Sequence, residues 1–412
     1  MESPLLSCPA DVLHLILEPL GQVDLAALCL TCADLAAIAR PRLYSNIRLP
    51  WMRNGKSSAI VLLLSTIVQR PELADLIHTL HLSGNDIEPS PTYNNTPSPR
   101  LQVTDTDVQS MVQCIQALNV LYRDLWIEGL TTGNMDAVVA LLLCQLSELR
   151  YLHLEETFSR KSRFVVYCVY PRLGIDIRDT TDARNTTDVL PFFYLPSIED
   201  LTTSIDNPVV TLEWPAAHQP KPLILRSLDV SMLREGHLGD LLSLTSNLKR
   251  LEWNWYYRPD LKDRWVTDVI NLDNIAEDLS RAGGLTEITI HASADMSQAE
   301  TEFPPLTITG LGAFRRLDNL KRLQVPLPFL LGFQVGEQPG AMLSQVPPRS
   351  IEVLTMTNAL YLQQEWEWSD DEATPHLKRF NLLLEIVDLT EWAQRSDGSS
   401  KTWAPRPELR SS

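Results

Sequence analysis

The chain has 412 residues, of which 44% are hydrophobic and 21% are charged, a composition that excludes a wholly disordered protein. This length allows two or three ordinary domains or one long repeat array. The net charge of −17 argues against a general nucleic-acid binder, because such proteins neutralise phosphates with an excess of Lys and Arg. Only 16 glycines are present, which disfavours glycine-rich phosphate-binding loops.

The sequence predicts a protein without a secretory signal or a membrane span. Residues 1–4 lack the basic segment that opens a signal peptide, and the longest wholly apolar run, residues 137–144, is far too short to cross a bilayer. The cysteines are widely spaced and predict reduced thiols: Cys8, Cys29, Cys32, Cys114, Cys144 and Cys168. We therefore expect a soluble protein of the cytoplasm or nucleus, with no membrane and no nucleic acid among its partners.

Residues 9–50 predict a module of three short helices. Pro9 suits the first turn of the first helix. Asp24 is a suitable cap for the second helix and Asp34 for the third, which Pro41 is expected to stop. Leucines lie on more than one helical face, and each leucine left in water forgoes about 1.5–3 kcal/mol of burial. The rest of the chain, a partner or both must therefore cover those faces.

Several short motifs of this module, taken in their order and spacing, resemble an F-box of the style common in fungi. The matching segments are Cys8-Pro9-Ala10-Asp11-Val12-Leu13, Ile16-Leu17, Asp24-Leu25, Leu28-Cys29-Leu30-Thr31-Cys32, Asp34-Leu35 and Arg40-Pro41-Arg42-Leu43-Tyr44. The family usually has leucine in place of Cys8, and many members have tryptophan in place of Tyr44. Both replacements keep an apolar contact.

The resemblance implies that the module docks onto a Skp-family adaptor and, through it, onto a cullin–RING ubiquitin ligase. The positions that it assigns to adaptor binding are Pro9, Leu13, Ile16, Leu17, Leu20, Leu25, Leu28, Leu35, Leu43 and Tyr44. The alternative is an amino-terminal helical cap of a solenoid, whose leucines are all buried internally.

After residue 50 the pattern apolar-x-x-apolar-x-apolar returns repeatedly. Its fourth position, called the marker position below, falls at residues 80, 125, 152, 201, 228, 251, 288, 323, 354 and 380. The spacing resembles that of leucine-rich repeats with insertions, whose usual period is about 20–29 residues. Helices are predicted between the strands, at 59–68, 108–118, 135–146, 238–244 and 265–279.

These patterns predict an α/β fold in two domains. A three-helix F-box over residues 1–50 is followed, over residues 51–395, by a leucine-rich-repeat-like solenoid with parallel strands and intervening helices. An irregular α/β domain without a clean horseshoe is the alternative. The sequence further predicts a proline-rich insertion over 88–100, an acidic and aromatic loop over 365–372, and a flexible tail over 396–412.

The residues beside each marker position are expected to face outward from the strands, and nearly all of them are polar. Acidic residues outnumber Arg250, Arg322 and Arg379 among them, so we expect this face to bind a basic or neutral polar segment of a substrate. The residues assigned to substrate binding are Asp124, Glu128, Glu155, Asp229, Glu252, Asn254 and Glu287. The alternative is an acidic face that is merely solvated.

The sequence shows no catalytic constellation. Cys29 and Cys32 have the spacing of a metal-binding pair, but no second pair completes a zinc site. His78 and His81 lie on opposite phases of a predicted strand, unlike the helical pair of a zinc protease. We therefore predict no catalytic residue, no cofactor and no metal site.

Among the aromatic residues of the run 253–257, Trp253 is expected in the core, whereas Trp255 or Tyr256 could contact a partner.

Together these features predict a non-catalytic substrate-recognition subunit of a Skp–cullin–F-box ubiquitin ligase. It would bind the adaptor through the F-box and an unknown protein substrate through the solenoid. The alternative is a repeat scaffold that binds the adaptor or other proteins without targeting substrates for degradation.

Overall fold

A computed structural model describes residues 8–51, 59–84, 100–117, 123–155, 158, 164, 190–204, 224–231, 233, 235–257, 268–294, 306–333, 346–357, 359–360 and 379–383. The chain forms two compact units. The first contains residues 1–206 and 213–224, and the second contains residues 207–212 and 225–412.

The first unit combines helices with a parallel sheet. Its helices are α1 (Ala10–Leu17), α2 (Gln22–Cys29), α3 (Ala33–Ser45), α4 (Ala59–Gln69), α5 (Asp105–Ala117), α6 (Arg123–Thr131) and α7 (Met135–Gln145), with 3₁₀ turns at Pro71–Leu76 and Leu190–Tyr194. Its strands are β1 (Asn46–Trp51), β2 (Thr79–Gly84), β3 (Tyr151–Leu154) and β4 (Asp200–Ser204). They pair in the order β1-β2-β3-β4, and every pairing is parallel.

The second unit has a larger parallel sheet. Its strands are β5 (Ser227–Ser231), β6 (Arg250–Tyr257), β7 (Val269–Asn271), β8 (Glu287–Ala294), β9 (Thr307–Thr309), β10 (Arg322–Pro326), β11 (Val353–Thr357) and β12 (Arg379–Leu383). The main sheet has the order β5-β6-β8-β10-β11-β12, and β7 pairs separately with β9. Helices α8 (Glu235–Leu242), α9 (Leu272–Arg281) and α10 (Pro328–Leu331) and a 3₁₀ turn at Ala313–Arg316 connect the strands.

The predicted marker positions align across the strands of each unit. In the first unit Leu80 lies opposite Leu152, which lies opposite Leu201. In the second unit one row crosses the main sheet and consists of Leu228, Leu251, Ile288, Leu323, Leu354 and Phe380. The leucines and isoleucine of both rows are almost completely buried. The prediction of an α/β fold with parallel strands is confirmed, and the arrangement is consistent with a solenoid-like fold.

Strand β6 shows how the alternating pattern builds this core. Leu251, Trp253, Trp255 and Tyr257 are all buried, while the residues between them face outward and are partly exposed. Trp253 donates a hydrogen bond from Nε1 to the carbonyl oxygen of Leu233 at 2.8 Å, which satisfies its polar atom within the core.

The strand predicted around marker position 125 is wrong, because residues 123–131 form α6. Trp126 and Leu130, four residues apart, are both fully buried on one face of the helix, whereas Leu125 is 45% exposed. A short apolar run fits a helical period as well as the strand pattern, and here the helical period prevails.

Pro41 does not stop the third helix, since α3 continues to Ser45. Leu43, beyond the proline, packs against the core of the helical module. This packing offsets part of the roughly 3 kcal/mol that a proline costs inside a helix.

The predicted domain boundary after residue 50 falls inside β1, a strand that the sequence analysis does not predict. The helix predicted from residue 265 begins at Leu272, because β7 precedes it and the Asn271 side chain caps it by accepting a hydrogen bond from the Asn274 N–H at 3.1 Å.

Cys144 forms a disulfide, so the prediction of six reduced thiols is wrong for this residue. The expected compartment predicts reduced thiols, but pairing also depends on how closely the chain brings two Cβ atoms together. Cys29 and Cys32 remain thiols.

Within the described residues, no helix combines the length and the apolar character that a membrane crossing requires. The segments 88–99, 365–372 and 396–412 lie outside the described residues, as does Cys168.

Candidate protein-binding surfaces

Helices α1, α2 and α3 have a small apolar core of their own. Its buried centre consists of Leu17, Leu25 and Ala39. Partly buried side chains pack against this centre: Leu20, Leu28, Cys29, Ile38 and Leu43. The three helices therefore cover many of their own leucines.

Polar contacts fix the helices of this module relative to one another and to β1. Arg42 donates a hydrogen bond from Nη2 to the carbonyl oxygen of Glu18 at 3.0 Å, which joins α3 to the end of α1. The Gln22 side chain donates to the carbonyl oxygen of Asn46, which joins α2 to the start of β1. A surface on these helices is thus held in place before any partner binds.

Asp24 lies in the first turn of α2 and does not precede the helix as predicted. Its Oδ2 atom accepts a hydrogen bond from the Gly21 N–H at 3.3 Å, and Gly21 is the residue at the N-cap position. The carboxylate still serves the amino end of the helix, because it pairs a backbone donor that the helix leaves unsatisfied.

Most of the residues assigned to adaptor binding lie in the core of the module or beside it. Leu13, Leu17 and Leu25 are only 5%, 4% and 3% exposed, so they support the surface from beneath. The partly buried members are Leu20, Leu28, Leu35, Leu43 and Tyr44. Pro9 and Ile16 are the members of the assigned set that face solvent.

A different set of apolar side chains, the exposed apolar set, faces solvent. Its members are Val12 (40% exposed), Leu15 (67%), Ile16 (42%), Val23 (83%) and Leu30 (88%). Val12, Leu15 and Ile16 are three and four residues apart and therefore share one face of α1. Of this set, the resemblance to the F-box family assigns only Ile16 to adaptor binding. The signal that could have found Leu15 is that α1 is apolar on the face opposite Leu13 and Leu17.

The second candidate surface is the outward face of the main sheet in the second unit. Cross-strand rows of polar residues follow from the register of β5, β6, β8 and β10. One row contains Ser227, Arg250, Glu287 and Arg322, and the next contains Asp229, Glu252, Thr289 and Gln324. A third row contains Ser231, Asn254 and His291. Four of the predicted substrate-binding residues, Asp229, Glu252, Asn254 and Glu287, therefore lie on one face.

Basic side chains of the same face accompany its acidic residues. His291 Nε2 lies 3.0 Å from Glu252 Oε1, and this hydrogen bond is the main reason that the pKa of Glu252 is lowered; burial opposes it. Arg322 Nε lies 3.7 Å from Glu287 Oε1. The sequence predicts an acidic surface, but Glu252 and Glu287 have cationic or potentially cationic neighbours, so the surface is one of mixed charge.

Serine hydroxyl groups on this face accept hydrogen bonds from side chains of the neighbouring strand. Asn254 donates from Nδ2 to Ser231 Oγ at 2.8 Å, and Arg250 donates from Nε to Ser227 Oγ at 2.9 Å. These cross-strand bonds hold Asn254 and Arg250 against the sheet. A polar ligand would meet a surface with fixed donors and acceptors.

The remaining predicted substrate-binding residues lie elsewhere. Asp124 and Glu128 lie on α6 and so do not belong to a strand face. Glu155 directly follows β3 in the first unit, where it meets two histidines described below.

Trp255 is not available for a partner contact. Its side chain is fully buried, stacks on Tyr257 with ring centroids 6.1 Å apart, and donates from Nε1 to Glu235 Oε2 at 2.9 Å.

A scan against protein-family models gives no match for this chain, and a search among curated proteins finds no significant relative.

Proposed function

We propose that the chain is a non-catalytic substrate-recognition subunit of a Skp–cullin–F-box ubiquitin ligase. The observation that carries this proposal is the exposed apolar set on helices that already possess their own core. A Leu or Ile side chain left in water forgoes about 1.5–3 kcal/mol, and burial against a partner recovers that free energy. The F-box-like order of motifs over the same helices indicates what the partner is, namely a Skp-family adaptor.

The proposed mechanism is positional. The helical module binds the adaptor, and a polar strand face binds a protein substrate near the ubiquitin-charged enzyme of the complex. The rate gain comes from a high effective concentration of the substrate lysine, so the chain needs no reactive group of its own. Because the strand face carries both acidic and basic side chains, we propose that its ligand is a polar segment with little net charge.

The mixed charge of the strand face also favours a second candidate function. His291 bonds to Glu252 and Arg322 lies beside Glu287, so these two carboxylates are less able to capture a basic degron than the sequence alone indicates. A repeat scaffold that binds the adaptor, without delivering substrates for degradation, would need no such capture.

Binding of the purified full-length chain to a purified Skp-family adaptor tests the first step. Ile16→Glu and Leu15→Glu place a charge on the α1 face and are expected to abolish binding, while leaving the core of Leu17 and Leu25 intact. Leu62→Glu is the matched control, because Leu62 is 59% exposed on α4 outside the module. If the unaltered chain does not bind the adaptor, or if all three variants bind equally, adaptor docking is rejected.

The fate of bound proteins separates the two functions. The experiment uses cells that express Ile16→Glu in place of the unaltered chain. If the chain is a ligase subunit, at least one bound protein should accumulate in these cells and lose its ubiquitin modification. If the chain is a scaffold, the abundance of all bound proteins should stay unchanged, and only binding of the adaptor should be lost.

A further inference from the structure

Two histidines and a glutamate meet on the outward face of the first unit, where the sequence analysis predicts no metal site. His81 on β2 lies opposite His153 on β3 in the parallel register. Glu155 follows His153 by two residues and therefore points to the same face. The imidazole rings have centroids 3.9 Å apart at an interplanar angle of 59°. One donor atom from each of the three side chains lies within 4.8 Å of the other two.

The backbone positions the carboxylate of this cluster. Glu155 Oε2 accepts a hydrogen bond from the Gly84 N–H at 2.7 Å, and the Glu155 N–H donates to the carbonyl oxygen of Leu82 at 3.1 Å. The second carboxylate oxygen, Oε1, lies 3.9 Å from His81 Nε2. This separation is too long for a hydrogen bond. It is close to the roughly 3.4 Å that separates two ligand atoms bound about 2.1 Å from one tetrahedral zinc ion.

His81 contributes a polar atom that the described residues leave unsatisfied. Its Nε2 atom is buried and has no hydrogen-bond partner within the described part of the chain. Buried polar atoms of proteins are nearly always paired, so this imidazole nitrogen, beside a second imidazole and a fixed carboxylate, is a candidate ligand atom. A cation bound between the three groups would satisfy it.

We propose that His81, His153 and Glu155 bind a zinc ion, with a fourth position open to water. Two imidazoles and one carboxylate are a ligand set that zinc accepts, and three protein ligands leave one place for an external oxygen. Ca²⁺ and Mg²⁺ are disfavoured, because both prefer oxygen ligands. The site is independent of adaptor docking, since none of its residues belongs to α1, α2 or α3.

Titration of the chelator-treated, full-length protein tests this site. Isothermal calorimetry with Zn²⁺ is expected to show one ion bound per chain. Co²⁺ in its place is expected to give the intense visible absorption of a four-coordinate ion. His81→Gln and His153→Gln should each weaken Zn²⁺ binding by on the order of 100-fold, since even loss of a group that orients a ligand costs about 10–100-fold.

A third variant and two controls keep the test decisive. Glu155→Gln removes the anionic ligand but keeps an oxygen that can accept from the Gly84 N–H, so it should fold and bind Zn²⁺ weakly. His78→Gln is the control within the unit, because its ring nitrogen Nδ1 lies 2.8 Å from the carbonyl oxygen of Leu76 and outside the cluster. His291→Gln is the control in the second unit, because His291 lies beside a single carboxylate, that of Glu252.

Zn²⁺ binding unchanged in both controls and weakened in the three cluster variants supports the site. Far-UV circular dichroism of the metal-free proteins shows whether each variant is folded, and the comparison uses the folded ones. Failure of the unaltered chain to bind one equivalent, or equal binding by the cluster variants and the controls, would overturn the proposal. Six-coordinate Co²⁺ spectra would likewise overturn the tetrahedral zinc assignment.

Discussion

Glu252 accepts a hydrogen bond from Nε2 of His291 at 3.0 Å, across the neighbouring strands β6 and β8. Arg250, two residues earlier on β6, adds a further favourable charge for the carboxylate. An acidic residue that the sequence presents as an isolated negative charge is thus part of a small charge network. The same relationship joins Glu287 to Arg322 between β8 and β10. The charge of the strand face therefore depends on the parallel register, which decides which charged residues become neighbours, as well as on composition.

Replacement of His291 by alanine is expected to raise the pKa of Glu252. The hydrogen bond from His291 is the largest cause of the lowered pKa, and burial, which acts to raise it, would then prevail. Carbon-detected NMR titration of the Glu252 carboxyl group in the unaltered chain and in His291→Ala measures this change. His78→Ala, a histidine variant in the other unit, should leave the Glu252 titration unchanged. An unaltered Glu252 pKa in His291→Ala would contradict the assigned cause.

The stability contributed by the lowered pKa of Glu252 depends on pH in one direction. A carboxyl whose pKa is lower in the folded state than in the unfolded state stabilises the fold above its ordinary pKa. That contribution disappears as the pH falls through the lowered value, because both states are then protonated. The difference in urea unfolding free energy between the unaltered chain and His291→Ala should therefore be larger near neutral pH than in strong acid. A difference in unfolding free energy that is larger in acid than near neutral pH would contradict the assigned role of Glu252.

Ile16 and Leu17 are adjacent in α1 but have opposite structural roles. Leu17 is 4% exposed in the core of the module, whereas Ile16 is 42% exposed. Leu17→Ala is expected to cost about 2–5 kcal/mol of stability, and Ile16→Ala less than about 1 kcal/mol. Urea unfolding followed by circular dichroism measures both. Equal costs for the two variants would mean that both side chains are buried, and would remove the basis for an adaptor-facing surface.

The strands were the part of the fold most accessible from the sequence. A buried leucine beside two outward polar residues is a local pattern, and it returns at Leu80, Leu152, Leu228 and their equivalents. The failure at Leu125 has a physical cause: the segment fits the strand pattern, but Trp126 and Leu130, four residues apart, also share one side of a helix. In α6 the burial of Trp126 and Leu130 decides between the two.

Strand β1 was missed although its sequence carried a usable signal. Ile47 and Trp51 are buried and Arg48 between them is exposed, which is the alternation expected of a half-buried strand. The predicted F-box boundary at residue 50 places Ile47 and Arg48 in the helical module and Trp51 in the next domain. The exposed Pro50 also argues against a central strand. It is tolerated because β1 is the first strand in the order of its sheet.

The candidate sites were less predictable than the strands, because they depend on register between distant segments. His81 and His153 become neighbours only when β2 pairs with β3 in one particular alignment. A shift of one residue would turn one imidazole into the core and remove the cluster. The exposed apolar set also depends on contacts between distant segments. The sequence shows that α1 is apolar, but it does not show which of its leucines the other helices cover.

Trp253 is expected to stabilise the second unit through both its volume and its indole nitrogen. Trp253→Ala should cost about 3–5 kcal/mol, because it leaves a cavity in a fully buried position. Trp253→Phe should cost about 1–3 kcal/mol, because it leaves the Leu233 carbonyl oxygen without its 2.8 Å hydrogen bond. Tyr151→Ala is the control on an outward strand position, 45% exposed, and should cost less than about 1 kcal/mol. Urea unfolding by circular dichroism measures all three, and a cost for Trp253→Ala as small as the control would show that β6 does not build the core.

Two glycines should respond in opposite ways to replacement by alanine. Gly133 has a φ of +66°, and a Cβ atom there would lie 2.1 Å from the carbonyl oxygen of Leu101, whose own N–H donates to the Gly133 carbonyl oxygen at 2.6 Å. Left-handed backbone costs an L-residue about 1–2 kcal/mol, and the contact with rigid backbone adds to it, so Gly133→Ala should lose about 2 kcal/mol or more. Gly236 lies in α8, where an added Cβ atom would meet no neighbouring atom within 4 Å, so Gly236→Ala should be neutral or gain up to about 1 kcal/mol. Urea unfolding of the two variants compares them directly, and a stabilising Gly133→Ala would mean that the turn before α7 does not adopt the left-handed conformation.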